Sequence, residues 1–446
     1  MLLNPLRSTV QVRAGLPILP GSFPGVGHLP AFFSAAPTLI TQGRQRLGPL
    51  FWLHMGPALG WHLTCCGPEC FELLKSKAIS NAHLAETHPQ FISKRGLMAM
   101  EGAAHHRLRS LMNAAFSPRG LSQHGAGPVC VSVLGAMIDS WAERGAVKVL
   151  PDTQRAALDV IFRMLDVPRE ELGLWHQKYR QFAWSALPMP ILDQLVVKPA
   201  TEWLHRKLEA LAQGAQQRPE GSSMLTVLAN AKDEEGKQLS VDDLVDNMRL
   251  LAFAGHDTSA SAMAWAVIEL ARAPEHWQRL VSEARQRPQV PQSPQEVKEH
   301  PFAEALFREA VRLHPPVPIY SRRTVQPLTF AGHQIPEGVV IYIPVIDFSL
   351  DPTVFPDPER YNPDRWLGRS SPPSPIETAA FGGGNHFCLG YHFAMLEGVQ
   401  LLVLLAQRLS ERGLRPQLPS GAVPQSHHLP LSHPAPGTVV RFTAND

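Results

Sequence analysis

Apolar positions recur at helical spacing along most of this chain, and from about residue 240 to 272 they do so without a proline. A helix of that length spans about 45 Å, the width of a large domain, so a central helix is expected there. From about Ala103 onward the pattern is predominantly helical. The run LLVLLAQRL, Leu401 to Leu409, is too short to cross a membrane and predicts a core helix, part of a longer one from about residue 389 to 410. Strand signals are few. FWLHMGP and GWHLTCC, around Gly56, Pro57 and Gly60, predict a hairpin. After Pro315 short β segments and proline-rich coil lead to a glycine run at Gly382. Residues 16–30 are rich in proline and glycine and predict an extended surface segment. No repeat or low-complexity linker divides the pattern. It predicts one domain over 1–446, mainly α with a minor β region, with 1–30 as a Pro-rich N-terminal approach.

Composition narrows this only a little. Hydrophobic residues make up 44% and charged residues 18%, as in a globular protein. A net charge of +2 gives no reason to expect a nucleic-acid partner. Five cysteines are too few and too unevenly spaced for a disulfide framework, which predicts a reducing compartment. Asn4, Pro5 and Arg7 interrupt the N-terminus, whereas a membrane span needs about 20 apolar residues. A cytoplasmic protein without a membrane anchor is expected. In TCCGPEC, Cys65 and Cys66 are adjacent and would point to opposite sides of a strand, so no metal site is expected there.

The chemistry begins at FGGGNHFCLG, Phe381 to Gly390. Three glycines permit tight turns and leave room for a flat ligand against the main chain. Cys388 is expected at a helix N-terminus, where unpaired amides and the dipole favour the thiolate. A thiolate is the donor that haem iron requires in oxygen-activating sites. His386 stands close enough to reach an anionic propionate. In LLAFAGHDTSASAMAW, the Thr258 hydroxyl is placed to bond the carbonyl of Ala254, bending the helix and leaving a groove beside Gly255 for a diatomic. Asp257 and Thr258 then offer an acid and a hydroxyl for proton delivery. In FREAVRLHPP, Glu309 and Arg312 share a helical face. FPDPERYNPDRW supplies Arg360 as a second guanidinium for Glu309, a network that fixes geometry more than it stabilises.

FGGGNHFCLG, AGHDTS, EAVR and PERY, in these forms and separations, resemble the cytochrome P450 family of haem-thiolate monooxygenases. The resemblance extends from about Pro17 to the C-terminus. It implies a mostly α fold with a long central helix over a b-type haem, and dioxygen activation with external electrons. Within the cysteine motif, Cys388 matches the axial ligand, Phe381 the aromatic beside the sulfur, and Gly384 and Gly390 the spaced glycines. His386, His105 and Arg109 match propionate partners, and register from Ala331 and Gly332 selects Arg322 over Arg323 as another. By family position the substrate pocket draws on Phe253, Ala254, Trp184, Val317 and Ile319, and its apolar character suggests a terpenoid, steroid or fatty-acid-like substrate. With no segment assigned to a fused reductase, electrons from NAD(P)H are expected through a separate ferredoxin or flavodoxin and its reductase, and the protein is expected to be a monomer. Members that use peroxide directly lack the acid and alcohol pair. Epoxidation, desaturation and coupling run on the same scaffold. A haem-based sensor that binds without turnover would need the cysteine loop but not Asp257 and Thr258.

Overall fold

The computed structural model describes residues 15–183, 193–219, 221, 223–419, 424–428 and 431–444. Its longest element is the central helix, Val241–Arg272. Ser240 caps it, its Oγ accepting from Asp243 N–H at 3.1 Å, and Asp242 and Asp243 in the first turn with Arg272 in the last complement the dipole. The helix ends where Pro274 constrains the residue before it. Every residue from Ser259 to Ala271 is buried, which makes this half a core helix, enclosed on all sides. The stretch from Phe253 to Thr258, in the middle of the same helix, is only half-buried.

Other helices wrap this axis. The flanking helix Val149–Met164 and the C-terminal helix Tyr391–Glu411 lie against it, and Ala126–Arg144 packs on both. Tyr391–Glu411 is long and apolar enough to cross a membrane, but 78% of its apolar window is buried inside the protein. Gly102–Gln123 and Ala126–Arg144 pass the same test only as a pair bent by 74°. The EAVR segment lies on Pro301–Leu313, with proline in the first turn and Pro315 just beyond its end.

The β content is minor. The hairpin strands Leu50–His54 and Trp61–Cys65 pair antiparallel, Trp52 opposite Leu63. The second pairs parallel with Val340–Pro344, which pairs antiparallel with Ile319–Thr324, and Ile79–Ser80 closes the far edge. Beside this sheet the extended N-terminal segment bridges Ile18 to Trp52. One large apolar cluster runs through the helices, and two smaller ones lie at the sheet.

Candidate functional site

The loop before the C-terminal helix closes on itself. Cys388 N–H donates to Phe381 O at 2.7 Å and Phe387 N–H to Gly384 O at 3.2 Å. The Phe381 ring stands edge-on to Tyr391 at 4.9 Å. Gly382 and Gly384 have φ of +87° and +60°, where a side chain is strained. The space expected at the glycines for a flat ligand is taken by protein. A Cβ on Gly383 would lie 3.2 Å from the Phe71 ring, and one on Gly384 3.2 Å from Lys75 Cα. These glycines let the Pro68–Lys75 turn nest against the loop. Gly390 differs: a Cβ there would meet only Cys388 Sγ, at 3.9 Å, among the described residues. The open face is the one beside the sulfur.

Cys388 is half-buried, whereas Cys65, Cys66, Cys70 and Cys130 are buried. The expected thiolate does not follow from this geometry. Burial dominates and pushes the Cys388 thiol up, against the Gly390 N–H and the Arg109 guanidinium that pull it down. The helix starts only at Tyr391, so the sulfur lies ahead of the first turn. Ligation to a metal would therefore release a proton.

Around this loop lie basic groups with few acceptors. Arg322 is buried, donates to Ser321 O at 2.9 Å and has no carboxylate partner among the described residues. Burial pulls its pKa down to about 10. Arg323, by contrast, pairs with Glu86 at the surface at 2.8 Å. His105 is 2% exposed, and neither ring nitrogen has a hydrogen-bond partner. Burial, then the neighbouring His386 and Arg109, hold its pKa down to about 4. Arg109 donates to Phe387 O at 2.6 Å and ties its helix to the cysteine loop. His386 lies 4.4 Å from the His105 ring and 3.2 Å from Glu101 Oε2. Burial would raise the Glu101 carboxyl, but His386 and the Asn81 N–H outweigh it and hold it to about 2. Buried donors without acceptors are costly. A guanidinium without a carboxylate partner, an imidazole with both nitrogens free and an open face at Gly390 beside the Cys388 sulfur fit the propionate edge and metal of a haem.

On the central helix, Thr258 Oγ1 donates to Ala254 O at 2.6 Å. On the side where a Cβ would stand, Gly255 borders the flanking helix rather than open space. A Cβ on it would lie 2.9 Å from Ile161 Cδ1, so the glycine admits the flanking helix. Asp257 turns the same way: its Oδ1 accepts from Gln154 Nε2 at 2.8 Å and lies 3.3 Å from His256 Nδ1. Phe253 stacks on Phe91 at 4.5 Å, and Phe182 meets Phe91 edge-on at 5.0 Å. Ile319 packs against the cluster around Phe51, Leu53 and Tyr342, which accounts for its apolar character. Val317 is half-buried, and Trp184 lies outside the described residues.

Glu309 and Arg312 are buried together, with Arg312 Nε and Nη2 on Glu309 Oε2 and Oε1 at 2.9 and 2.8 Å. Arg312 Nη1 reaches Ser349 O and Pro358 O at 2.6 and 2.8 Å. The second guanidinium is not that of Arg360. Arg365 Nε donates to Glu309 Oε1 at 2.9 Å, and Trp366 Nε1 to Oε2 at 2.8 Å. Arg360 is exposed and contributes its carbonyl to Arg312 at 3.2 Å. The segment holds two Pro-acid-Arg-aromatic units, PERY and PDRW, and only the second reaches the buried carboxylate.

Sequence reasoning missed Arg365, Gln154, Glu101 and Tyr320, whose hydroxyl donates to Ala379 O at 3.0 Å and links the sheet to the cysteine loop. Arg365 and Glu101 stood within or beside motifs already singled out. Nothing in the local pattern marks Gln154.

A family model for Cytochrome P450 matches residues 170–416. The chain is 38% identical over 439 residues to the Cytochrome P450 BJ-4 homolog of Sinorhizobium fredii, covering 98% of each chain. It is 37% identical to Cytochrome P450 BJ-4 of Bradyrhizobium diazoefficiens, again over 98% of each. Among solved structures, retinoic acid bound cyanobacterial CYP120A1 superposes with a TM-score of 0.80 at 25% identity, over 96% of this chain and 100% of that one.

Proposed function

This chain belongs to the cytochrome P450 family of monooxygenases, and from that premise we propose that it oxidises a lipophilic small molecule, hydroxylating a terpenoid, steroid or fatty-acid-like chain. Bound haem supplies the chemistry: with two electrons from outside it activates dioxygen, placing one oxygen atom in a C–H bond and releasing the other as water. Cys388 would hold the metal. Arg322, His105, Arg109 and His386 would face the propionates, and Phe381, Gly384 and Gly390 shape the loop. Electrons come from NAD(P)H through a ferredoxin or flavodoxin and its reductase, and the protein works as a cytoplasmic monomer.

The observation that carries this reading is the pairing of a half-buried cysteine with a buried Arg322 that has no carboxylate partner among the described residues and a buried His105 with both ring nitrogens free. A catalytic role over mere binding is supported by Thr258. Its proton is committed to Ala254 O, which leaves its oxygen free to accept a hydrogen bond, next in the chain to the acid Asp257. Phe253, Ala254 and Thr258, half-buried on the central helix, would supply one wall for the substrate, with the buried Phe91 and Phe182 rings packed behind Phe253 as apolar support. The structural neighbour with retinoic acid bound agrees with a lipophilic ligand.

The test starts with the carbon-monoxide spectrum of the reduced haem-loaded protein. A thiolate-type band that Cys388→Ser abolishes is expected, and an imidazole-type band in the folded parent would overturn the cysteine assignment. Titrating terpenes, steroids and fatty acids against the iron spin state, then identifying products by mass spectrometry with surrogate redox partners, reads the substrate class. Silence across the whole lipophilic set would sink that part.

A further inference from the structure

Asp257 does not point along its own helix; the flanking helix holds it. Gln154 Nε2 donates to Asp257 Oδ1 at 2.8 Å. The other neighbour, His256 Nδ1, lies 3.3 Å from the same oxygen but is not aligned to bond it and has no hydrogen-bond partner. Gln154 is therefore the aligned donor. Its own position is set by packing on both sides of the Asp257 turn. Thr153 Oγ1 bonds Ala260 O at 3.0 Å on one side, and Ile161 fills the notch at Gly255 on the other, 2.9 Å from where a Cβ would stand.

We propose that Gln154 is a positioning residue for the reaction: it aims the Asp257 carboxylate and so governs how efficiently protons reach Thr258. This rests on the reading that Asp257 and Thr258 carry protons. An amide suits the task because it orients a carboxylate oxygen without placing a positive charge beside it. With Oδ1 held, Oδ2 has no hydrogen-bond partner among the described residues and is the oxygen left to exchange a proton. The titratable groups facing this point are few. Besides His256, Tyr179 from the Leu172–Ala183 helix packs on the His256 ring at 5.4 Å and donates to Ala252 O at 3.2 Å. His176 and Asp159, 2.6 Å apart, link that helix to the flanking one.

The experiment uses the haem-loaded enzyme with surrogate redox partners and a substrate that shifts the spin state. It measures product and peroxide per NAD(P)H, the solvent deuterium isotope effect on turnover, and substrate affinity. Gln154→Leu is expected to lower coupling about tenfold and enlarge the isotope effect, while leaving the carbon-monoxide band and substrate affinity unchanged. Gln154→Glu is expected to be uncoupled at high pH and to recover as pH falls, because a protonated Glu donates as the amide does whereas an ionised one repels Asp257. Should the leucine variant fail to hold haem, the pH dependence of the glutamate variant decides. Coupling unchanged in both Gln154 variants at every pH, while Asp257→Asn uncouples, would overturn the inference and leave the functional reading standing. Normal coupling in Asp257→Asn and Thr258→Ala would remove the reading and the inference with it.

Discussion

Two buried charge clusters in this molecule differ in how their hydrogen bonds are satisfied. Around Glu309, every charged atom has a partner. Arg312, Arg365, Trp366 and the Asn362 N–H saturate the carboxylate, and Arg312 spends its remaining donors on backbone carbonyls. Around Cys388, Arg322 bonds a single neighbouring carbonyl and His105 bonds nothing. Desolvating a charge is costly in both places. A saturated cluster has met that cost within the chain and acts as a clamp between the EAVR helix and the coil leading to the cysteine loop. An unsaturated one carries a standing penalty that only a ligand of opposite charge relieves. The contrast separates framework from site without reference to either motif's name.

The contrast can be broken most directly at Arg312. Arg312→Leu removes the two-pronged partner of the buried Glu309 carboxylate and is expected to cost about 3–5 kcal/mol of stability, read by chemical denaturation. Arg322→Leu is expected to behave in the opposite sense. It removes an uncompensated charge, so the denaturation midpoint of the haem-free protein holds or rises, while the haem dissociation constant increases about ten- to a hundredfold. Equal destabilisation by both would show that the clusters do not differ as described. A finer comparison lies inside the clamp: Arg365→Ala should cost about 2 kcal/mol, and Arg360→Ala less than about 0.5 kcal/mol. The reverse order would restore Arg360 as the second guanidinium.

The smallest effect is a pH slope. His105 in the folded protein titrates at about 4, against 6.5 for an ordinary histidine. The unfolded chain therefore binds the proton first, and stability of the haem-free protein is lost as pH falls from about 6.5 toward 4. His105→Phe should flatten that part of the stability profile. If His105 meets the propionates as proposed, haem loading would favour its charged form, and the slope is expected to shrink there too.

Legibility in the sequence followed distance along the chain. The Thr258 bond to Ala254 and the Glu309 to Arg312 pair lie within one helical turn, where the 3.6-residue repeat sets the neighbours. The central helix, the hairpin and the C-terminal helix were readable for the same reason. Glycine was harder. Three consecutive glycines state that something approaches the backbone, and only the fold says whether it is a ligand or, as here, the Pro68–Lys75 turn. Gly255 likewise receives Ile161. For the metal-free Cys388 thiol, helix-end amides can be counted from sequence, whereas the burial that pushes it up cannot.

By itself the amino-acid order determined which chemical groups exist and which of them share a helical face: a sulfur after a glycine turn, an acid beside a hydroxyl, an acid and a guanidinium one turn apart. Tertiary structure alone decided which of two similar arginines reaches Glu309, 56 residues away, and which helix turns the Asp257 carboxylate, 103 residues away. The reason is physical. Contacts of that separation depend on how whole elements pack, and packing also sets burial, which decides whether a charged group is satisfied by the chain or left for a ligand.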